Sequence, residues 1–314
     1  MERLPLSERA GDLVLAAAMV LVPFLPPRVG LRLGELLGRV IFRLDGRHRR
    51  LALSQIEECL GESVDVRVTA RQVFENLGRL IIEMFYMARL GPEEVRDRIH
   101  FEGLRYLRHA LAKGRGCLVL TGHFGAFELM PAAFSLTHGR GVNIVIRRMD
   151  WGPAHRALVA LRERCGNRSV TKGRAMRQLL RLLGRQEIVG ALVDQNVVAS
   201  EGVFVDFFGR PACTNKGFAL LALRSGAPVV PAFIVYEGRA RHRIVFEPEV
   251  ELARTGDRAH DVRENTARFT AVIERWVRRY PGHWFWMHRR WKTRPEAAGA
   301  GGDKDRNEQS PQAA

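Results

Sequence analysis

Several things are scarce or missing in this chain, and each absence removes a class of chemistry. Cysteine is scarce: Cys59, Cys117, Cys165 and Cys213 stand far apart and form no C-x-x-C. That spacing argues against a metal cluster or a redox pair and for free thiols in a reducing compartment. There is no G-x-S-x-G elbow to carry a serine nucleophile. There is no H-E-x-x-H for zinc hydrolysis and no G-x-x-x-x-G-K-[ST] for a phosphate loop, and the glycines of KGRGCLVLTGHFG fail the dinucleotide spacing. The uncharged run from Leu13 to Pro27 is roughly 15 residues, short of the ~20 that span a bilayer as a helix. It has no small-residue cleavage site of the signal-peptide kind. Lysine is rare, and no internal repeat is visible.

What is present is an ordinary globular mixture with an unusual charge. The 314 residues are 46% hydrophobic and 27% charged, enough for one large domain or two modest ones. Arginine supplies most of a net charge of +16, with an isoelectric point near 10.9. Such an excess favours a polyanionic partner: nucleic acid, phosphorylated lipid or an anionic membrane face. No DNA- or RNA-binding signature accompanies it, so nucleic acid is not expected as a partner. The apolar N-terminal run lies between Arg9 and the pair Arg28 and Arg32 and ends in Pro23, Pro26 and Pro27, a pattern suited to seating on a membrane from the cytoplasmic side. The alternative is a buried helix. Basic amphipathic helices follow in LRLGELLGRVIFRL and RQVFENLGRLIIEMFYMARL.

From about residue 101 the pattern changes. GCLVLTGHF, GVNIVIRR, EIVGALVDQN and APVVPAFIVY are short apolar runs separated by helical stretches. Their alternation predicts an α/β layered fold with a mostly parallel central sheet flanked by helices, preceded by the N-terminal helical segment. RHRIVFEPEVEL has period two and is expected as an edge strand. The tryptophans Trp276, Trp284, Trp286 and Trp291 crowd the C-terminal region among arginines, as core by default or as an interfacial belt. After Pro295 the composition has almost nothing to bury and is expected to be disordered.

The stretch LVLTGHFGAFE is the best candidate for chemistry. An apolar strand runs into Gly122, His123, Phe124 and Gly125 at its carboxyl end, where open α/β sheets bind ligands. Histidine is the side chain whose ordinary pKa lies nearest neutrality, so His123 suits a general base. Glu128, five residues on, is expected to orient the imidazole as the acid of a triad does. With no nucleophile of the protein's own, the nucleophile would belong to the substrate, such as a hydroxyl. Backbone N–H groups around Gly122 to Gly125 are candidate donors to the oxyanion.

Five blocks in order carry a resemblance to a known family: TGHFGAFE, VIRRMD, VDQNVVASEGVFVDFFGRPACTNKG, VVPAF and WFWMHRRWKTRP. Together they resemble the lipid A biosynthesis acyltransferases, the late lauroyl and myristoyl transferases, within the wider lysophospholipid and glycerol-3-phosphate acyltransferases. The resemblance implies transfer of a fatty acyl chain from an acyl carrier protein or CoA thioester, as co-substrate without a further cofactor or metal, to a hydroxyl of a lipid A precursor or related glycolipid. It implies work at the cytoplasmic face of the inner membrane, with acyl carrier protein, the lipid acceptor and the anionic membrane surface as partners. His123 and Glu128 carry over as base and partner. Arg147 and Asp194 carry over as acceptor- or phosphate-site residues; an acceptor with phosphates or sugar acids also suits Arg148 and Lys216, and Gly122 and Gly125 permit close approach of the substrate. Asn196 departs from the second acid of many relatives. The expected division is a membrane-associated helical segment at 1–45, an acyltransferase domain at 46–295 and a disordered tail at 296–314. The alternative is a basic nucleic-acid-binding or non-catalytic membrane-associated protein.

Overall fold

A computed structural model describes residues 6–147, 149–171 and 175–295. Arg148 and the tail at 296–314 lie outside them. Four helices come first: α1 (Leu6–Leu21), α2 (Pro27–Leu44), α3 (Gly46–Leu60) and α4 (Val66–Tyr86). Asp45 and Asp65 cap α3 and α4, their carboxylates accepting from the backbone N–H groups of His48 and Val68. Pro23, Pro26 and Pro27 separate α1 from α2, because proline cannot continue a helix. No helix among the described residues is long and apolar enough to cross a membrane.

The sequence of α2 explains how it is placed. Gly30, Gly34 and Gly38 recur every four residues and form one face. That face lies directly on α4: a Cβ on Gly34 would come within 2.7 Å of the Gly78 carbonyl oxygen. The small residues let the two backbones meet, as in helix pairs inside membranes. The larger apolar residues are therefore left facing outward. Leu33, Leu36, Leu37, Val40 and Leu44 of α2 are exposed, as are Leu13, Val14, Val20, Leu21 and Phe24 before it, several of them above 60%. A contiguous apolar face of this kind marks an interaction surface.

The α/β layer then follows as α5 (Pro92–Arg98), β1 (Ile99–Glu102), α6 (Leu104–Ala112), β2 (Cys117–Thr121), α7 (Leu129–His138), β3 (Val142–Ile146), α8 (Gly152–Arg164), β4 (Arg168–Thr171), α9 (Ala175–Gly184) and β5 (Ile188–Leu192). It continues through the hairpin β6 (Gly202–Phe207) and β7 (Arg210–Asn215), then α10 (Gly217–Ser225), β8 (Val229–Gly238), β9 (Arg241–Phe246) and α11 (Arg258–Arg279). Seven strands form one sheet in the order β1-β9-β8-β2-β5-β3-β4, parallel except for the β8–β9 hairpin. The mostly parallel sheet is as expected. β9 is not an edge strand, however: it lies between β1 and β8, and its period-two pattern reflects unequal burial of its two faces.

The central strands are buried on both sides, which is why they read as continuous apolar runs. Leu118, Leu120 and Val189 face one core, with α9, α10 and α11; Cys117, Val119, Ile144 and Ile188 face the other, with α6 and α7. Trp276, Trp284 and Trp286 belong to the first core, so they form no interfacial belt.

Candidate active site

β2 and β5 are adjacent and parallel, with Thr121 opposite Leu192. The residues two positions beyond each therefore emerge side by side at the carboxyl edge of the sheet. They are His123 and Asp194. The His123 ring Nδ1 lies 2.8 Å from Asp194 Oδ1, and the His123 backbone N–H donates to Asp194 Oδ2 at 2.8 Å. The Trp284 indole N–H donates to the same Oδ2, also at 2.8 Å. Gly122 makes the approach possible, since a Cβ there would sit 3.1 Å from the Asp194 carboxyl carbon. Gly125 takes φ +57°, and a Cβ there would strike the Ile234 carbonyl oxygen at 2.3 Å.

Asp194 is buried. Burial alone would raise its pKa, but the facing His123 ring, the His123 N–H and the Trp284 indole outweigh it and hold the carboxyl at about 2. A carboxylate only accepts, so the proton on the imidazole resides on Nδ1 and the lone pair on Nε2. Nε2 faces the Gln195 side-chain amide, whose nitrogen is 3.3 Å away. His123 keeps 25% of its side-chain surface exposed while Asp194 keeps 2%. The inner nitrogen is thus fixed, while the ring stays partly exposed with the Gln195 amide on its outer nitrogen.

Glu128 does not do this work. It stands at the start of α7, buried, with both oxygens on the guanidinium of Arg162 from α8 at 2.9 and 2.6 Å. The expected His123–Glu128 pairing is replaced by His123–Asp194 and Glu128–Arg162. The reason is geometric: Glu128 begins a helix that turns toward α8, whereas Asp194 shares the strand edge with His123.

The other expected site residues separate. Asp194 has its oxygens committed to His123 and Trp284 and so does not face an acceptor. Gly122 and Gly125 shape the turn rather than line a substrate pocket. Two of the anticipated oxyanion donors are occupied: His123 N–H on Asp194, and Gly125 N–H on the His283 carbonyl at 2.8 Å. Lys216 gives its ammonium to the Ser200 carbonyl at 2.9 Å. Arg147 is exposed just beyond β3, the next strand after β5, on the same carboxyl edge. Arg148 lies outside the described residues.

Trp284, Gln195 and Arg162 are site residues that motif reading passed over. The dense WFWMHRRW stretch was the available signal for Trp284. His283 and His288 flank it, and burial drives both down to about 4. Each is neutral and accepts a backbone N–H, from Tyr236 and Asn196 respectively. Their folded pKa values lie below the unfolded 6.5, so the stability they allow at neutral pH is lost as pH falls from about 6.5 toward 4.

Beside the dyad, on the α7 side of the sheet, is a narrow apolar cavity of about 50 Å³. Phe127 lines it and also packs edge-on against the His123 ring, with centroids 5.1 Å apart. The floor is made of alternate strand residues: Val119 and Thr121, Ile188, Gly190 and Leu192, Val142 and Ile144. From Leu192 to Ile188 the floor descends ~13 Å along the strands.

Residues 3–293 match the bacterial lipid A biosynthesis acyltransferase family. The chain is 28% identical over 283 residues to a lipid A biosynthesis lauroyltransferase of Escherichia coli (strain K12), covering 88% of this chain and 89% of that protein. It is 25% identical over 284 residues to a myristoyltransferase of lipid A biosynthesis from the same organism, covering 88% and 85%. It is 26% identical over 223 residues to a phosphatidylinositol mannoside acyltransferase of Mycobacterium tuberculosis (strain ATCC 25618 / H37Rv), covering 69% and 68%. With a match that runs nearly end to end, the chain belongs to the bacterial lipid A biosynthesis acyltransferases and is an acyltransferase.

Proposed function

We propose that the protein moves a fatty acyl chain from an acyl carrier protein or CoA thioester to a hydroxyl of a lipid A precursor or related glycolipid. One observation carries this reading: a partly exposed imidazole whose inner nitrogen is fixed by a buried carboxylate and whose ring packs on Phe127, a residue lining an apolar cavity. In this reading Nε2 of His123 takes the proton of the acceptor hydroxyl as the oxygen attacks the thioester carbonyl carbon. The tetrahedral intermediate collapses with cleavage of the C–S bond, and the imidazolium returns the proton to the departing thiolate. Asp194 stabilises the imidazolium in between. Base catalysis of this kind is worth ~10²–10⁴-fold. The Gln195 amide is the donor nearest the reacting atoms and is assigned to the developing oxyanion. The acyl chain occupies the cavity below Phe127, and Arg147 faces the anionic acceptor.

Purified protein given an acyl carrier protein thioester and a lipid A precursor is expected to form a lipid carrying one more acyl chain, detected by mass spectrometry. Thioester consumed with free fatty acid as sole product would identify a hydrolase instead. The cavity also makes a size prediction. A leucine at Gly190 would rise from mid-floor and exclude three or four methylenes, each worth ~0.8 kcal/mol. Gly190→Leu is expected to shift the preferred donor to a shorter chain. An unchanged chain-length profile would remove the cavity from the acyl path.

We also propose that the exposed apolar residues of α1 and α2, with Arg28, Arg32, Arg43 and Arg47 nearby, seat the protein on the cytoplasmic face of the inner membrane. The α1 end of this face reaches the loop after β3, where Trp151 packs by Gly11 of α1. Replacing Leu13, Leu21 and Phe24 with glutamate is expected to weaken binding to anionic vesicles by roughly tenfold or more per residue, given ~1.5–3 kcal/mol for each large apolar side chain. Undiminished vesicle binding would reject this seating.

A further inference from the structure

The segment after α11 runs as a strap across the site. Its backbone pairs with the turn that carries the base: Phe285 N–H donates to the His123 carbonyl at 3.1 Å, and the His283 carbonyl accepts from Gly125 N–H at 2.8 Å. Further along, the strap holds the loop that carries the carboxylate. The His288 ring accepts from Asn196 N–H at 2.9 Å, the Thr293 hydroxyl accepts from the Asn196 side-chain amide at 3.0 Å, and Thr293 N–H donates to Asn196 Oδ1 at 3.2 Å. Gln55 of α3, itself buried, anchors the strap from beneath. Its amide donates to the carbonyls of Trp286 and His288 at 2.6 and 2.9 Å, and its oxygen accepts from Arg290 N–H at 3.2 Å.

Between these two grips sits Trp284. It is 1% exposed and packs edge-on against Phe207 and Trp286. Its indole N–H ends on Asp194 Oδ2, the oxygen not used by the His123 ring. A buried carboxylate oxygen needs its donors, and a lost donor to a charged group is among the more damaging hydrogen-bond losses. The indole is stiffly held by packing, so it fixes the rotation of the carboxylate and, through it, the plane of the imidazole.

We propose that Trp284 is a positioning residue of acyl transfer, acting on His123 through Asp194, and that the strap at 281–293 exists in part to deliver its N–H. The proposal rests on the His123–Asp194 reading given above. It goes further in assigning a role to a residue that reaches neither substrate nor base. Without the indole N–H, the negative charge of Asp194 is shared with one donor fewer and falls more strongly on the His123 ring. The imidazolium is then favoured, while the ring itself is less firmly oriented.

The test uses the full-length enzyme with Trp284→Phe and with Trp284 replaced by 3-benzothienylalanine, which keeps the indole shape but has sulfur in place of N–H. For both, kcat is expected to fall ~10- to 100-fold, with KM for the thioester within about threefold of the wild type. The acidic limb of the kcat/KM profile is expected to move to higher pH. A shifted limb separates this role from plain packing, which would lower the folded fraction and leave the limb in place. If the phenylalanine variant does not fold, the isosteric variant decides. An isosteric variant with wild-type kcat and an unmoved limb overturns the proposal. His123→Ala measured alongside separates the two readings: if it is inactive while the isostere is fully active, only the role of Trp284 is lost, and if it is active the dyad reading itself is lost.

Discussion

Asp194→Asn is expected to lower kcat for acyl transfer on the order of 10³–10⁴-fold, the cost of the same carboxylate-to-amide change beside a catalytic histidine elsewhere. The asparagine keeps the size of the side chain and can still accept from Trp284. It cannot supply the negative charge that stabilises the imidazolium. If its amide nitrogen faces the ring, it forces Nδ1 to accept and moves the ring proton to Nε2, the atom that must be free to act as base. The fold should survive at neutral pH because the same hydrogen-bonding positions can be filled. Asp194 also ties folding to acid. Its folded pKa, about 2, lies below the unfolded 3.8, so its contribution is present above about pH 4 and is lost as pH falls toward 2. The asparagine variant should lack that part of the acid transition. Initial rates with saturating thioester and acceptor, alongside a thermal melt, measure both effects, and a rate within a few-fold of the wild type would contradict the assignment.

Glu128→Ala is expected to do something different. It leaves the buried Arg162 guanidinium without a counter-charge, and breaking a buried pair in this way costs ~3–5 kcal/mol. For a chain of this size that corresponds to a melting temperature lower by on the order of 10 °C. Activity per folded molecule should fall much less than in Asp194→Asn. Adding Arg162→Met removes the stranded charge and should recover most of the lost stability, because well-packed apolar groups replace buried ion pairs at little cost. The pair also lines the apolar cavity beside the dyad, so its collapse would disturb that cavity before it disturbed the His123–Asp194 pair. Calorimetry on the single and double variants tests this. A Glu128→Ala protein as stable as the wild type would mean that the ion pair contributes nothing to the fold.

The contrast between these two carboxylates shows what could be read from sequence. The candidate histidine was legible because its signal is local: a buried strand, two glycines and a histidine at the carboxyl end. The identity of its partner was not. Glu128 is five residues from His123, and Asp194 is seventy-one residues away. Only the adjacency of β2 and β5, fixed by the sheet order β8-β2-β5-β3, brings the second pair together. The strands β2, β3, β5 and β8 announce themselves because burial on both faces makes them continuous apolar runs. β1 and β4 are four-residue strands at the two edges, where one side is open and the apolar signal is weak. The outward leucines of α2 were visible as a basic amphipathic pattern, but its direction was not. That depends on the glycine face pressing against α4, and glycine spacing becomes informative only when a second helix is known to lie on it.

The strap explains why the arginine- and tryptophan-rich stretch before the tail resists reading by composition. Trp284 and Trp286 are buried there, and so is Arg290. The Arg290 guanidinium donates to the Cys213 carbonyl and the Thr214 hydroxyl and rests on the Phe207 ring. Burial lowers its pKa to about 10, against the pull of Asp194, so it stays charged and adds positive potential near the carboxylate. A segment that looks like a basic surface is in fact half core and half support for the active site.

The central claim is that Nε2 of His123 removes the proton from a lipid hydroxyl. The most direct measurement is acyl transfer by purified His123→Ala, assayed on a lipid A precursor with an acyl carrier protein thioester at saturating concentration. A loss of at least ~10²-fold is expected, with melting temperature and vesicle binding as in the wild type. A folded, vesicle-bound His123→Ala enzyme that transfers the chain at the wild-type rate would contradict it.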